Sequence, residues 1–514
     1  MAGPDQDIYV GIDLGTSSLK AVALDVCGAV LARASAVYPT HRPAVGACEQ
    51  DPADWQWALE QAAAQLAQVV RPSRWRAIGL SGMMPTLVTV GADGRAIGPA
   101  VTWQDSRADD LGDELRERCG ADRLYRLTGQ WVDGRYLLPM YARLVQAEPD
   151  RAGATAVIAS AKDHLFGWLT GELATDPSTA AGYGCYELET GRWSAAVRAA
   201  AGLHRPGAPD LPEVLPSHAH RPLRAQVAAR LGCGPIPVVL GAADSVLGAL
   251  GLGVREPGQV AYIGGTSNVI LGISGQLVLD PAHRFLVTPL AEPGRWGVEM
   301  DLLATGSAIT WLGRLLGGLT AADLVDLAAE TDPAHAPILL PYLSPGEQGA
   351  LWDPLLRGAI VGLDLSHDRE HLARALVNGI ILESRRCLGV LDDIGGFGQS
   401  VAVTGSSAAH PAFRSDLADA TRRRVHLPAG DDAGDSARGA ALITALALDG
   451  HWPEDAFPAA GPAAEPDETR ARAWDELWAD HESTRFLLHP HLTPDPTSSR
   501  PGDPHSLEQG TSLS

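Results

Sequence analysis

An acid, a Gly-Thr-Ser corner and a lysine stand close together near the start of the chain. They are Asp13, Gly15, Thr16, Ser17 and Lys20, in the run "DIYVGIDLGTSSLKAVALD". A glycine corner between two apolar runs exposes successive backbone N–H groups, and such a nest holds anions. The Thr and Ser hydroxyls add donors. An acid just ahead of the corner suits Mg²⁺, which is held by one or two carboxylates and shares its remaining coordination with phosphates. Alone, Asp13 reads as a turn cap; with the corner beside it, the cation reading is preferred. A compact ammonium fits a phosphate oxygen where a planar guanidinium would crowd. Lys20 and Lys162 are the only lysines among 40 Lys and Arg residues.

The corner is written a second time, at Gly265-Thr266-Ser267 in "QVAYIGGTSNVILGIS", but Ile263 stands where the first copy has Asp13. Two such corners facing each other across a cleft would grip one polyphosphate from both sides. One acid is enough there, because the phosphates bring negative charge of their own. A third feature is Asp244, in the middle of the apolar run "IPVVLGAADSVLGALGLGV". A membrane span of that length would bear a cost of roughly 2.5–3.5 kcal/mol for the acid at its centre. Gly241, Gly248, Gly251 and Gly253 also interrupt the run. The expected local structure is a buried strand to Leu240, a turn carrying Asp244 and a packed helix, which puts an acid at a strand end among apolar neighbours.

The elements around these residues repeat a pattern. The first stretch reads as strand, corner and strand, a turn at Cys27-Gly28 and a third strand through "AVLARASAVYP". A helix follows, with Asp51 as N-cap and Pro52 at N1, and then the strand "RAIGLSGMM". Three strands, a helix and a strand suggest an α/β layer fold. After Val254 the order restarts, with two strands about the second corner and a helix near Gly306. A strong helix carrying Leu372, Leu376 and Ile380 precedes the strand "SVAVTG" and a closing small-residue helix. Two domains are expected, residues 1–255 and 256–493, with a polar, Pro-rich, disordered tail at 494–514.

The bulk composition agrees with this reading. The 514 residues carry a net charge of −22, which argues against a nucleic-acid binder and requires a local nest and a divalent cation for any polyphosphate. Six scattered cysteines form no Cys-x-x-Cys pair, and no secretory leader is visible, so a cytoplasmic protein is expected.

Together these segments resemble the FGGY-type carbohydrate kinases of the actin/hexokinase/Hsp70-like fold, from Tyr9 to about Leu492. "GIDLGTSSLKAV" and "GGTSNVI" resemble the family's two phosphate motifs, and "GLSGMMPT" and "TWQDSRAD" its sugar-contacting segments. "AKDHLFGWLTGELATDPSTAAG" resembles its Lys-Asp stretch, and "GAADSVLGALGLGV" the segment with the catalytic Asp. "RGAIVGLDLSHDREHLARALVNGIILES" resembles its C-terminal signature, "VTGSSAAHPAFRSDLAD" its adenosine motif and "GDSARGAALITA" its closing helix. The resemblance is greatest to the xylulose kinases.

The resemblance implies two actin-like (ribonuclease H-like) domains with a nucleotide and sugar cleft between them, and ATP and Mg²⁺ as cofactors. Asp244 would be the general base, and Asp13 would position the metal. Gly15, Thr16, Ser17, Lys20, Gly265 and Thr266 would hold phosphates, and Gly306, Thr310, Gly405 and Ser407 would lie at the adenosine. The sugar would meet Met84, Pro85, Trp103, Asp105 and Asp244. The expected partners are a small sugar and ATP, with neither nucleic acid nor membrane; a homodimer stays open.

Three departures stand out. Ser406 and Ser407 replace glycines in the adenosine motif. Ser81-Gly82-Met83-Met84-Pro85-Thr86 replaces the Ser-Gly-Gln-Met-His-Gly of xylulose kinases, and Met140 replaces a customary lysine. D-xylulose is the first expected substrate. Gluconate, ribulose or a polyol is the alternative, and a non-catalytic actin-like ATPase or sugar sensor is the alternative of another class.

Overall fold

The computed structural model describes residues 7–205, 207–344, 349–428, 436–457 and 460–489. The expected tail at 494–514 lies outside them.

Two sheets organise the chain. The first contains β1 (Ile8–Leu14), β2 (Ser18–Asp25), β3 (Val30–Val37), β4 (Trp75–Gly82), β5 (His220–Pro222) and β6 (Pro237–Ala243), in the order β5-β6-β4-β1-β2-β3. The second contains β7 (Val260–Gly264), β8 (Asn268–Ser274), β9 (Leu286–Pro289), β10 (Trp296–Leu302), β11 (Ser400–Thr404), β12 (Arg424–Pro428) and β13 (Ala460–Ala464). Its order is β9-β10-β8-β7-β11-β12-β13. Strand for strand, the two sheets share one pairing pattern, although the edge strand β5 precedes β6 in the chain and β13 follows β12. β1 pairs antiparallel with β2 and parallel with β4, as β7 does with β8 and β11. β6 runs parallel to β4 as β12 does to β11, and β5 and β13 close the same edge antiparallel. β9 is the one strand added. The two corners therefore occupy equivalent places, each at the head of its sheet's central hairpin.

β1, "IYVGIDL", is buried along its whole length, which is why its apolar run is continuous rather than alternating. One of its faces is covered by helix α1 (Pro52–Ala67), whose N-cap Asp51 accepts from the Ala53 N–H, with Pro52 at N1. Helix α2 (Asp244–Gly251) follows β6. Helices α3 (Gly306–Leu315) and α4 (Arg369–Ile394) lie on the second sheet's side. The other face of β1 is covered from far along the sequence, by helix α5 (Ser436–Asp449). That helix lies close against the strands. A Cβ on Gly11 would sit 1.9 Å from the Ala437 carbonyl oxygen, and one on Gly79 of β4 would sit 2.1 Å from that of Ala440. Only the missing side chains allow this contact. α5 also packs on α2 through Gly439, whose Cβ would lie 1.9 Å from the Leu247 carbonyl oxygen. Among the described residues no helix is long and apolar enough to cross a membrane.

Candidate active site

Between the two corners lies a cavity of about 370 Å³. Each corner is closed by the same kind of internal bond. The Gly15 N–H donates to the Ser18 carbonyl at 3.2 Å, and the Gly265 N–H to the Ser267 carbonyl at 2.9 Å. The first corner is pinned from its own half. Gln50 Nε2 donates to the Thr16 carbonyl at 2.7 Å, Trp103 Nε1 to Thr16 Oγ1 at 3.1 Å, and the Tyr38 hydroxyl to the Gly15 carbonyl. Asp13 is the penultimate residue of β1, opposite Lys20 of β2 and Ser81 of β4. Ser81 Oγ donates to Asp13 Oδ1 at 2.9 Å. The second corner is held by tight backbone approaches. The Ser307 N–H, in the first turn of α3, donates to the Thr266 carbonyl at 3.0 Å. A Cβ on Gly306 would lie 2.1 Å from the Gly265 carbonyl oxygen, and one on Gly405, whose φ is 104°, would lie 2.6 Å from that of Gly264.

Asp244 reaches the cavity from β6. The strand runs to Ala243, three residues beyond the expected end, and α2 begins at Asp244 with no separate turn. The reason is a bulge: the register of β6 against β4 shifts between Val239 and Ala242, and Gly241 takes φ 70° where a Cβ would strike the Leu80 carbonyl at 1.6 Å. The Ser245 N–H donates to Asp244 Oδ1 at 2.9 Å, and Ser436 Oγ, from α5, to the Asp244 carbonyl at 2.8 Å. Burial in the cleft, then the charges of Asp13 and Glu299, push the Asp244 carboxyl up to about 8. The Ser245 N–H and Lys20 pull it the other way.

Several cavity residues escaped the sequence reading. Glu299, on β10, accepts hydrogen bonds from Thr288 and from Ser245, and burial raises its carboxyl above the ordinary range even so. Asp301 and Arg135 also line the cavity, and Asp133 holds the Arg135 guanidinium. The signal for the acids was present in "WGVEMDLL": two acids two residues apart in an apolar strand share one face. Arg135 sits in a loop without periodicity and gave none.

Of the expected residues, Asp13, Gly15, Thr16, Ser17, Lys20, Met84, Pro85, Trp103, Asp244, Gly265 and Thr266 line this cavity. Asp105 does not join them. Its carboxylate accepts from the Cys48 N–H at 2.8 Å and pairs with Arg107 at 2.7 Å, which places it at the outer cavity rather than at this one. Gly306 and Gly405 abut the second corner; Thr310 and Ser407 do not line the cavity. Thr310 Oγ1 instead donates to the Gly306 carbonyl of its own helix at 2.8 Å. Lys162 is buried and ion-paired to Asp163 and Asp176 at 3.0 and 3.1 Å, and it donates to the Leu240 carbonyl at 3.2 Å. It props the strand that carries Asp244.

Residues 8–251 match the FGGY family of carbohydrate kinases, N-terminal domain, and residues 260–448 match the C-terminal domain of the same family. The chain belongs to this family. The xylulose kinase of Escherichia coli K12 is 30% identical to this FGGY kinase over 441 residues, 86% of this chain and 90% of that protein. The gluconokinase of Bacillus licheniformis is 27% identical over 435 residues, 82% and 84% of the two chains. The crystal structure of a xylulose kinase from Rhodospirillum rubrum, 31% identical, superposes with a TM-score of 0.83 over 94% of this chain and 99% of that one. The two duplicated sheets are the family's actin-like domains, and the FGGY kinase transfers a phosphoryl group to a carbohydrate, with ATP as the family's donor.

Proposed function

We propose that this FGGY kinase phosphorylates a neutral sugar, D-xylulose first, at a hydroxyl delivered to Asp244. The observation that carries the reading is one carboxyl, raised to about 8, lying in one cavity with both Gly-Thr-Ser corners. Asp244 accepts the hydroxyl proton as the oxygen attacks the γ-phosphorus. A base tuned near the working pH is efficient at that task. The corners and Lys20 hold the phosphates in line, so that positioning and charge stabilisation do most of the work.

The donor set fits Mg²⁺ shared with phosphate rather than caged by protein. Among the described residues no group of three His, Cys, Asp or Glu side chains is disposed to hold a metal, while the Asp13 carboxylate borders the cavity beside the first corner. When bound there, Mg²⁺ would be held by Asp13, would screen the phosphate charge, and would offset the Asp13 charge that, after burial, raises the Asp244 carboxyl.

The neutral acceptor follows from the charge of the cavity. Among the described residues the lining holds four carboxyl groups, Asp13, Asp244, Glu299 and Asp301, against two cations, Lys20 and Arg135, and Arg135 is already bound by Asp133. A carboxylate-bearing sugar meets repulsion there. Gluconate remains the second reading because of the similarity to gluconokinases. The enzyme is proposed to act in the cytoplasm. Measuring kcat/KM with ATP for D-xylulose, D-ribulose, L-ribulose, gluconate, glycerol and erythritol tests the reading. A clear preference for gluconate or a polyol would replace the substrate, and no turnover with any sugar would overturn the reading.

A further inference from the structure

The reaction proposed above fills the inner cavity, where acceptor and phosphates meet. It gives no occupant to a second cavity of about 840 Å³ that opens outward from the first. The two share Trp103, Arg135, Thr266 and Leu303, so the outer cavity begins where a pentose would end. The residues assigned to the adenosine (Gly306, Thr310, Gly405 and Ser407) do not line it, although Ser307, Ala308 and Trp311 of the same helix do.

Its walls carry four of the chain's 13 tryptophans. Trp103 and Trp131 come from the first half, Trp311 and Trp352 from the second. All four are partly exposed. Trp131 and Trp352 approach across the cleft to 6.5 Å between ring centroids, tilted by 35°. Partly exposed large aromatics gathered in one concave place mark a ligand or partner rather than ordinary surface. An indole face takes the C–H face of a sugar ring. Of the rim charges, Arg116 pairs with Asp113, Arg135 with Asp133 and Asp105 with Arg107, whereas Arg42 donates to Gln104, and Arg314 and Asp109 make no ion pair among the described residues. The lining holds four aspartates and four arginines, so their formal charges cancel and no net charge selects an ionic ligand.

We propose that the outer cavity is an acceptor-extension subsite. It takes a neutral sugar that bears a second, glycosidically linked ring away from the phosphorylated hydroxyl, with that second ring packed against the wall that Trp131 and Trp352 form together. The inference rests on the carbohydrate-kinase reading with Asp244 as base and specifies its substrate class. The reaction is unchanged: the acceptor hydroxyl gives its proton to Asp244 and its oxygen bonds to the γ-phosphorus as the bond to ADP breaks.

The test measures ATP-dependent phosphorylation of D-xylulose, lactulose, maltulose and turanose by the native protein, Trp131→Ala and Trp352→Ala. At least one disaccharide is expected to be phosphorylated. Each substitution is expected to lower kcat/KM for that disaccharide at least ~tenfold while changing D-xylulose by less than about twofold. Equal losses on both acceptors would mean that the tryptophans serve cleft closure, and the inference would be overturned. Turnover of D-xylulose with no turnover of any disaccharide would also overturn it, leaving the kinase reading intact. Calorimetry of lactulose binding to the native protein gives a decision that does not depend on the variants folding or on turnover. Saturable binding weakened by Trp131→Phe supports the subsite, and its absence removes it. Failure of every free sugar, by contrast, is a failure of the preceding reading.

Discussion

The two Gly-Thr-Ser corners are one backbone design carrying unequal chemistry. Both head the central hairpin of their sheet and both close on themselves through a glycine N–H. The first is surrounded by charge: Asp13, fixed by Ser81, and Lys20 directly across the hairpin. The second has Ile263 at the equivalent place. It is walled by glycines that let backbone come within van der Waals reach, with the first turn of α3 directed at it. The first corner supplies charge and the second supplies shape. Duplicating the fold did not require duplicating the charge, because a polyphosphate with its cation needs only enough acid to place the metal.

The largest effect is expected at Asp244, which belongs to neither corner. Asp244→Asn keeps the shape and removes proton acceptance, so kcat should fall at least ~10²-fold while calorimetric ATP affinity persists. Near-native turnover would move the base elsewhere. Next come the tight approaches. Gly306→Ala should destabilise the protein by about 1–3 kcal/mol through overpacking, because the new Cβ meets the Gly265 carbonyl at 2.1 Å. Gly15→Ala should cost less, since its Cβ has 3.2 Å to the Ser18 carbonyl. Thermal unfolding ranks the two, and equal losses would erase the division between charge and shape.

Asp13→Ala should weaken ATP binding in Mg²⁺ by roughly tenfold, about 1.4 kcal/mol, and flatten its dependence on the metal. Ile263→Val should leave that dependence alone. Mg²⁺ titrations that respond equally to both changes would make the corners alike. Thr266→Val removes one neutral hydroxyl and should cost roughly two- to twelve-fold in ATP affinity. Two independent nucleotide sites in the same calorimetry would end the picture of a shared grip.

The smallest effect is a displacement along the pH axis. Asp244 rises from its ordinary 3.8 to about 8, so kcat/KM should climb as pH approaches 8 and the base loses its proton. Glu299 is one of the charges that raises it, so Glu299→Gln should move the midpoint to lower pH. An unmoved midpoint would take Glu299 out of the site. The same shift acts on stability. Between about 4 and 8 the folded protein keeps a proton that the unfolded chain has lost, so this carboxyl's contribution to stability falls as pH rises through that window.

The duplicated hairpins were legible because an apolar run, a Gly-Thr-Ser corner and a second apolar run fix both secondary structure and turn. The helix at Asp51-Pro52 was legible from its cap. Asp244 was legible as an acid in an apolar run, but not its exact mounting, because a bulge at Gly241 depends on the neighbouring β4 backbone. Asp105 was legible as an acid near the cleft, but not its pairing with Arg107, two residues on, or its place at the outer cavity rather than the inner one. Glu299 was visible as an acid in an apolar strand, but its partner Ser245 comes from a distant segment, and the local Asp133-Arg135 pair gave no sign of facing the cleft until the two halves met.

The glycine-lined seat of α5 on β1 and β4 has a consequence for synthesis. The first sheet has its central strands by Gly82, but the helix that covers one of its faces begins at Ser436, about 350 residues later. At ~5–20 residues per second, that face waits on the order of tens of seconds on a ribosome before its own chain can close it. Its exposed residues in that interval are apolar, among them Tyr9, Val22 and Leu24. A nascent chain cut short before residue 436 would therefore present a sticky half-sheet, and holdase chaperones should bind such truncations far more than the finished protein.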